Sequence, residues 1–128
     1  MKFTLNKQEQ YTVFKLQEEK LDSSIAPKLK TEFFTLYQSG MINLIFDMGD
    51  IKYVDSSGLS SILVAKRLSE QINGYLALAA VSDHVMKLMT ISKLDSVLNI
   101  IPTVAESVDA VFMAELERDI KEDEKNNG

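Results

Sequence analysis

The sequence predicts a single α/β domain in which a mixed β-sheet is covered by about four α-helices. Three observations predict it. Short apolar runs bounded by breakers take turns with stretches whose apolar residues recur at helical spacing. The run Asn43-Leu44-Ile45-Phe46-Asp47 is continuously apolar inside, as in a central strand covered on both faces. The chain has 128 residues and 45% hydrophobic content, enough to close one core and too little to divide comfortably into two.

Taken in order, Phe3 and Leu5 alternate with polar neighbours, and Val13, Phe14 and Leu16 follow a polar break at Lys7-Gln8-Glu9-Gln10, which predicts two strands joined as a hairpin. From Ser23 the period changes. Ser23 or Ser24 can cap a helix, Pro27 suits its first turn, and Ile25, Leu29, Phe33 and Leu36 keep one face apolar until Gly40. After the central strand at 43–47, Ile51-Lys52-Tyr53-Val54 predicts a shorter one. A second helix is expected from Ser57 to about Gln71, carrying Leu59, Ile62, Leu63 and Leu68 and stopped by Asn73-Gly74.

Tyr75-Leu76-Ala77-Leu78-Ala79 returns to strand, and a short helix from Asp83 to about Ile91 would turn Val85, Leu88 and Met89 inward. A brief apolar segment at Val97, Leu98, Ile100 and Ile101 closes at Pro102. Val104, Val108, Phe112, Leu116 and Ile120 then recur every four residues, which predicts an amphipathic C-terminal helix with a charged outer face. The core is expected over about residues 2–115, with a frayed tail at 122–128.

Composition excludes several function classes. Cysteine is absent, so disulfides, thiolate nucleophiles and cysteine-ligated metals fall away together. A net charge of −5, with six acids against three bases between Glu115 and Lys125, disfavours direct nucleic-acid binding. The N-terminus alternates where a signal peptide would be continuously apolar, and no run approaches the roughly 18–20 residues of a membrane span. The expectation is a cytoplasmic protein without membrane insertion.

The segment Asp55-Ser56-Ser57-Gly58-Leu59-Ser60-Ser61 sets four hydroxyls, a carboxylate and a glycine between a strand and a helix. A helix start leaves backbone N–H groups unpaired and carries partial positive charge, so a phosphate placed there gains hydrogen bonds and favourable electrostatics. Asp55, Ser56 or Ser57 can equally be a plain N-cap, and the two roles are compatible.

Asp47-Met48-Gly49-Asp50-Ile51-Lys52-Tyr53-Val54-Asp55-Ser56-Ser57-Gly58-Leu59 resembles the signature of STAS domains, specifically bacterial anti-sigma factor antagonists. Leu21-Asp22 and Val85-Met86-Lys87-Leu88-Met89 resemble further stretches of the family. The resemblance implies a STAS-like fold with the serine before the glycine, Ser57, as phosphoacceptor. It implies a partner switch: the unphosphorylated protein binds an anti-sigma factor with serine kinase activity and so releases a sigma factor, phosphorylation breaks the complex, and a serine phosphatase restores it. Asp22, Asp55, Ser56, Gly58 and Leu59 would lie near the docking surface. Lys20, Ser60 and Lys93 stand where many members carry glycine, departures that bear on partner identity more than on fold.

Asp22 reads equally as a solvated turn residue, Leu59 as core, and Ser60 and Ser61 as ordinary first-turn hydroxyls. A serine hydrolase would need Ser57 or Ser56 with His84 and Asp83 or Asp95, but no nucleophile elbow is present. Metal chemistry would need more than one histidine and scattered acids, and no phosphate loop exists. No enzymatic activity, cofactor or metal is therefore expected. A non-switching scaffold or regulatory subunit, in a lipid-transport or stress-signalling assembly, keeps the fold and drops the switch. An Asp47 phosphoacceptor lacks the paired acids that should follow the first strand. Self-association as a homodimer stays open.

Overall fold

Phe3–Lys7 (β1) and Thr12–Leu16 (β2) form the expected antiparallel hairpin, with Leu5 opposite Phe14. Asn43–Asp47 (β4), Tyr75–Ala79 (β6) and Asn99–Ile101 (β7) add to it in parallel, giving the order β1-β2-β4-β6-β7. Lys20–Leu21 (β3) and Tyr53–Val54 (β5) make a separate two-stranded parallel pair. The helices are Ala26–Gln38 (α1), Ser56–Gln71 (α2), Asp83–Ile91 (α3) and Val104–Asn127 (α4), with one 3-10 turn at Leu94–Ser96. This computed structural model describes residues 1–127.

Because side chains alternate along a strand, the sheet has two different faces. Phe14, Phe46, Leu44, Leu76 and Leu78 point to one side and are buried against α1, α2 and α3 through Leu29, Phe33, Ile62, Ala65, Val85 and Met89. The rings of Phe14, Phe33 and Phe46 meet edge to face at 5.3–5.8 Å. Val13, Ile45, Ala77 and Ala79 point to the other side, where α4 covers them with Val111 and the half-buried Val104 and Val108.

Four expectations need correction. Neither Ser23 nor Ser24 caps α1: the N-cap position is Ile25, with no side-chain hydrogen bond, and Pro27 stands in the first turn as expected. The chain turns earlier, because the Asp22 carboxylate accepts from both the N–H (3.0 Å) and the hydroxyl (2.6 Å) of Ser24. The strand at Ile51 is shorter than expected; Ile51 is buried but closes a turn onto Met48, leaving only Tyr53 and Val54 to pair. Lys20–Leu21 is a strand that its own two residues do not announce.

The largest correction concerns α4. Its four-residue repeat predicts an amphipathic helix with a charged outer face, yet only Ser107 and Val111 are buried. Residues advance about 100° each around a helix, so a strict four-residue repeat precesses about 40° per step. Val104 and Val108 therefore meet the sheet, while Phe112, Leu116 and Ile120 have rotated off it. The expected fraying over Glu122–Gly128 is not seen as far as Asn127, where the helix continues; Glu117 and Lys121 stand at the supporting i,i+4 spacing. Gly128 lies outside the described residues.

Candidate phosphorylation and docking site at the start of helix α2

The site is set by the small β3–β5 pair. Lys52 and Tyr53 donate their N–H groups to the Glu19 carbonyl at 2.7 and 3.1 Å, and Asp55 donates to the Leu21 carbonyl at 3.3 Å. The backbone is thereby fixed up to the residue before α2. Asp55 then takes extended φ/ψ, and its carboxylate accepts from the Gly58 N–H at 2.9 Å, so Asp55 is the N-cap. Ser56 and Ser57 are the first two helical residues. Of the first-turn N–H groups, Gly58's is taken by the cap, which leaves those of Ser56 and Ser57 without an acceptor inside the helix.

Gly58 is required by its surroundings. It is buried, and a Cβ on it would stand 2.3 Å from the Leu21 carbonyl oxygen and 2.8 Å from Val54 Cγ1. The close approach that glycine permits is thus to β3 of the same chain. Ser61 is fully buried and donates its hydroxyl to the Gly58 carbonyl at 2.6 Å, a structural bond. Leu59 is half-buried and packs against the main core.

Ser56 is exposed, and Ser57 and Ser60 are half-buried. Together they line a shallow depression of about 350 Å³ whose other wall is the start of α1, namely Ser23, Ala26, Pro27 and Lys30. Lys30 is the only basic side chain on that lining. Sequence reading missed it, because it stands 27 positions before Ser57 and one of the two lysines on α1 carries no signal until α1 and α2 are packed side by side. Asp22 leads into the Ser23–Ser24 turn at the same place, and its hydrogen bonds from the Ser24 hydroxyl and N–H hold its carboxyl below the usual carboxylate range.

The rival sites do not assemble around this depression. His84 is exposed in the first turn of α3, a helix capped by the Ser82 hydroxyl through Val85. Asp47, half-buried at the end of β4, spends its carboxylate on the Gly49 N–H at 2.9 Å. Among the described residues no group of three or more His, Asp or Glu could hold a metal ion, and no helix is long and apolar enough to cross a membrane.

Residues 2–107 match the STAS domain family. The chain belongs to that family. A Bordetella bronchiseptica protein described as an anti-sigma factor antagonist, BtrV, is 30% identical to this STAS protein over 114 residues, 89% of this chain and 94% of the relative. A Thermotoga maritima protein described as an anti-sigma factor antagonist has a similar solved structure, with a TM-score of 0.78 at 21% identity over 85% of this chain and 93% of that one. The Bacillus cell fate determinant SpoIIAA in its phosphorylated form superposes with a TM-score of 0.67 at 23% identity, over 86% and 99% of the two chains. At those identities the solved structures speak for the STAS fold, a mixed five-stranded sheet with four helices.

Proposed function

We propose that this STAS protein is an anti-sigma factor antagonist that works by partner switching at Ser57. In the unphosphorylated state it binds an anti-sigma factor with serine kinase activity, and a sigma factor is released. Phosphorylation of Ser57 ends that binding, and a serine phosphatase reverses it. ATP belongs to the partner; this chain supplies the acceptor hydroxyl and the docking surface around it, from Asp22, Asp55 and Ser56 to the edge of Leu59.

One observation carries the reading. Ser57 presents a partly accessible hydroxyl in the first turn of a 16-residue helix, facing a depression shared with Lys30. A phosphate there would bring about −1.5 to −2 charge at neutral pH. It would find two unpaired N–H groups, the positive end of the helix and the Lys30 ammonium, so the modified state is tolerated by the chain itself. The same charge and bulk, placed in the middle of an interface, cost desolvation and repel a partner's acids.

The test is affinity for the anti-sigma factor measured with unmodified chain, Ser57→Ala and Ser57→Asp. Ser57→Ala should bind as the unmodified protein does, and Ser57→Asp should lose at least about tenfold, equivalent to about 1.4 kcal/mol. Equal affinity for the two variants would favour the non-switching scaffold.

A further inference from the structure

Helix α4 carries a second apolar face that the fold leaves uncovered. Phe112, Met113, Leu116 and Ile120 are 45%, 57%, 52% and 49% exposed. At about 100° per residue they fall roughly 100–200° around the helix from the buried Val111, so they form one ridge on the side away from the sheet. From Phe112 to Ile120 that ridge is about 12 Å long, two turns. Its near edge touches the domain, where Tyr11 meets Phe112 edge to face at 6.3 Å.

The charges beside the ridge are of one sign. Asp109, Asp119 and Asp123 lie along or beside it on one flank, and Glu106 and Glu117 border the other. All five are exposed. The helix's three bases are turned away: Arg118, Lys121 and Lys125 line a depression with Asn73, Glu122 and Glu124, and Arg118 is paired with Glu115 at 2.6 Å. An apolar ridge in an acidic frame calls for an apolar surface in a basic frame.

We propose that this face of α4 docks a basic amphipathic helix of a partner protein, its apolar side laid along Phe112, Leu116 and Ile120 and its Lys or Arg side chains meeting the acidic flanks. A second copy of this chain fits poorly, since two such faces would bring acid against acid. An anionic bilayer is repelled for the same reason. The surface lies across the sheet from α2, so it is open whether or not Ser57 is modified, and it stands independently of the switch proposed above.

The test uses the full chain and a synthetic leucine/lysine amphipathic helical peptide of about 18 residues, with a same-composition scramble and a leucine/glutamate counterpart as controls. Binding read by fluorescence anisotropy should be seen for the first peptide alone and should weaken as salt rises. It should fall at least tenfold in the double variant Leu116→Ser, Ile120→Ser, whose side chains are exposed and whose removal leaves the core intact, and should be unchanged in Ser57→Asp. Peptide binding indifferent to the double variant would overturn the proposal. So would a dimer in sedimentation that the double variant abolishes, or recruitment to phosphatidylglycerol vesicles with no preference among the peptides.

Discussion

Gly58 shows how a single position ties fold to site. With a Cβ 2.3 Å from the Leu21 carbonyl, alanine would force β3 and the start of α2 apart, although alanine is the better helix former. The clash is with backbone, which cannot swing aside, so Gly58→Ala should lose about 1–3 kcal/mol in urea unfolding; a more stable variant would contradict that contact. Lys93 runs the other way. It holds φ 61° ahead of the 3-10 turn, the left-handed region that costs a residue with a Cβ about 1–2 kcal/mol. In the resemblance to STAS domains Lys93 stands where glycine is common, and the backbone gives that a local reason. Lys93→Gly should therefore raise the unfolding free energy measured in urea, by about 1 kcal/mol or somewhat less once the freer unfolded chain is counted. The loop was legible as a helix start, with Asp55 among the possible caps, but the division within it needed coordinates: Asp55 is the residue that caps, Ser61 is buried and bonded to the Gly58 carbonyl, and Ser57 is half-buried.

Elements were legible wherever period and breakers agreed. Both hairpin strands, the central strand, α2, α3 and the Gly40 stop, at φ 97°, stand where apolar spacing put them. β3 escaped because two residues have no period, and the outward turn of α4 escaped because a four-residue repeat looks amphipathic while it precesses around the helix. What anchors α4 is partly polar: buried Asn43 donates to the Gln10 carbonyl at 2.8 Å and to Glu115 at 2.6 Å, and accepts from the Tyr75 N–H at 3.2 Å. The bond from Asn43, with Arg118 beside it, holds the Glu115 carboxyl below its usual range. The contact that positions α2 is with α1, where the Tyr37 hydroxyl is buried with Ser69 nearby but without a formed hydrogen bond. Burial pushes this phenol from 10.0 up to about 12, with Ser69 offsetting part of the effect. The folded state thus keeps Tyr37 protonated while the unfolded chain ionises. Its contribution is whole below pH 10 and is lost as pH rises through 10 to 12, by roughly 2–3 kcal/mol. Comparing Tyr37→Phe with the parent across that window by urea unfolding should isolate the loss; parallel pH profiles would remove the cause named here.

At the scale of the whole molecule, the sheet divides two surfaces. On one side, α1 and α2 start together beside the β3–β5 pair and frame Ser57; on the other, α4 shows its acidic, apolar ridge. The STAS fold and the position of Ser57 were readable because strand, Asp-Ser-Ser-Gly-Leu loop and helix follow one another along the chain. Lys30 and the ridge on α4 were not, since each depends on how elements distant in sequence or turned in space come to lie. The switch proposed at Ser57 would change the charge of the first surface by about −1.5 to −2 without touching the core that makes it, a way for a small domain to alter its affinity while keeping its fold. Phosphopeptide and intact-mass analysis of the protein recovered from its native cell, beside a Ser57→Ala strain, tests this most directly. One phosphate on Ser57, absent from the variant, is the outcome expected; a protein that stays unphosphorylated through growth and stress, or carries its phosphate elsewhere, would leave the STAS domain a scaffold and the switch without a basis.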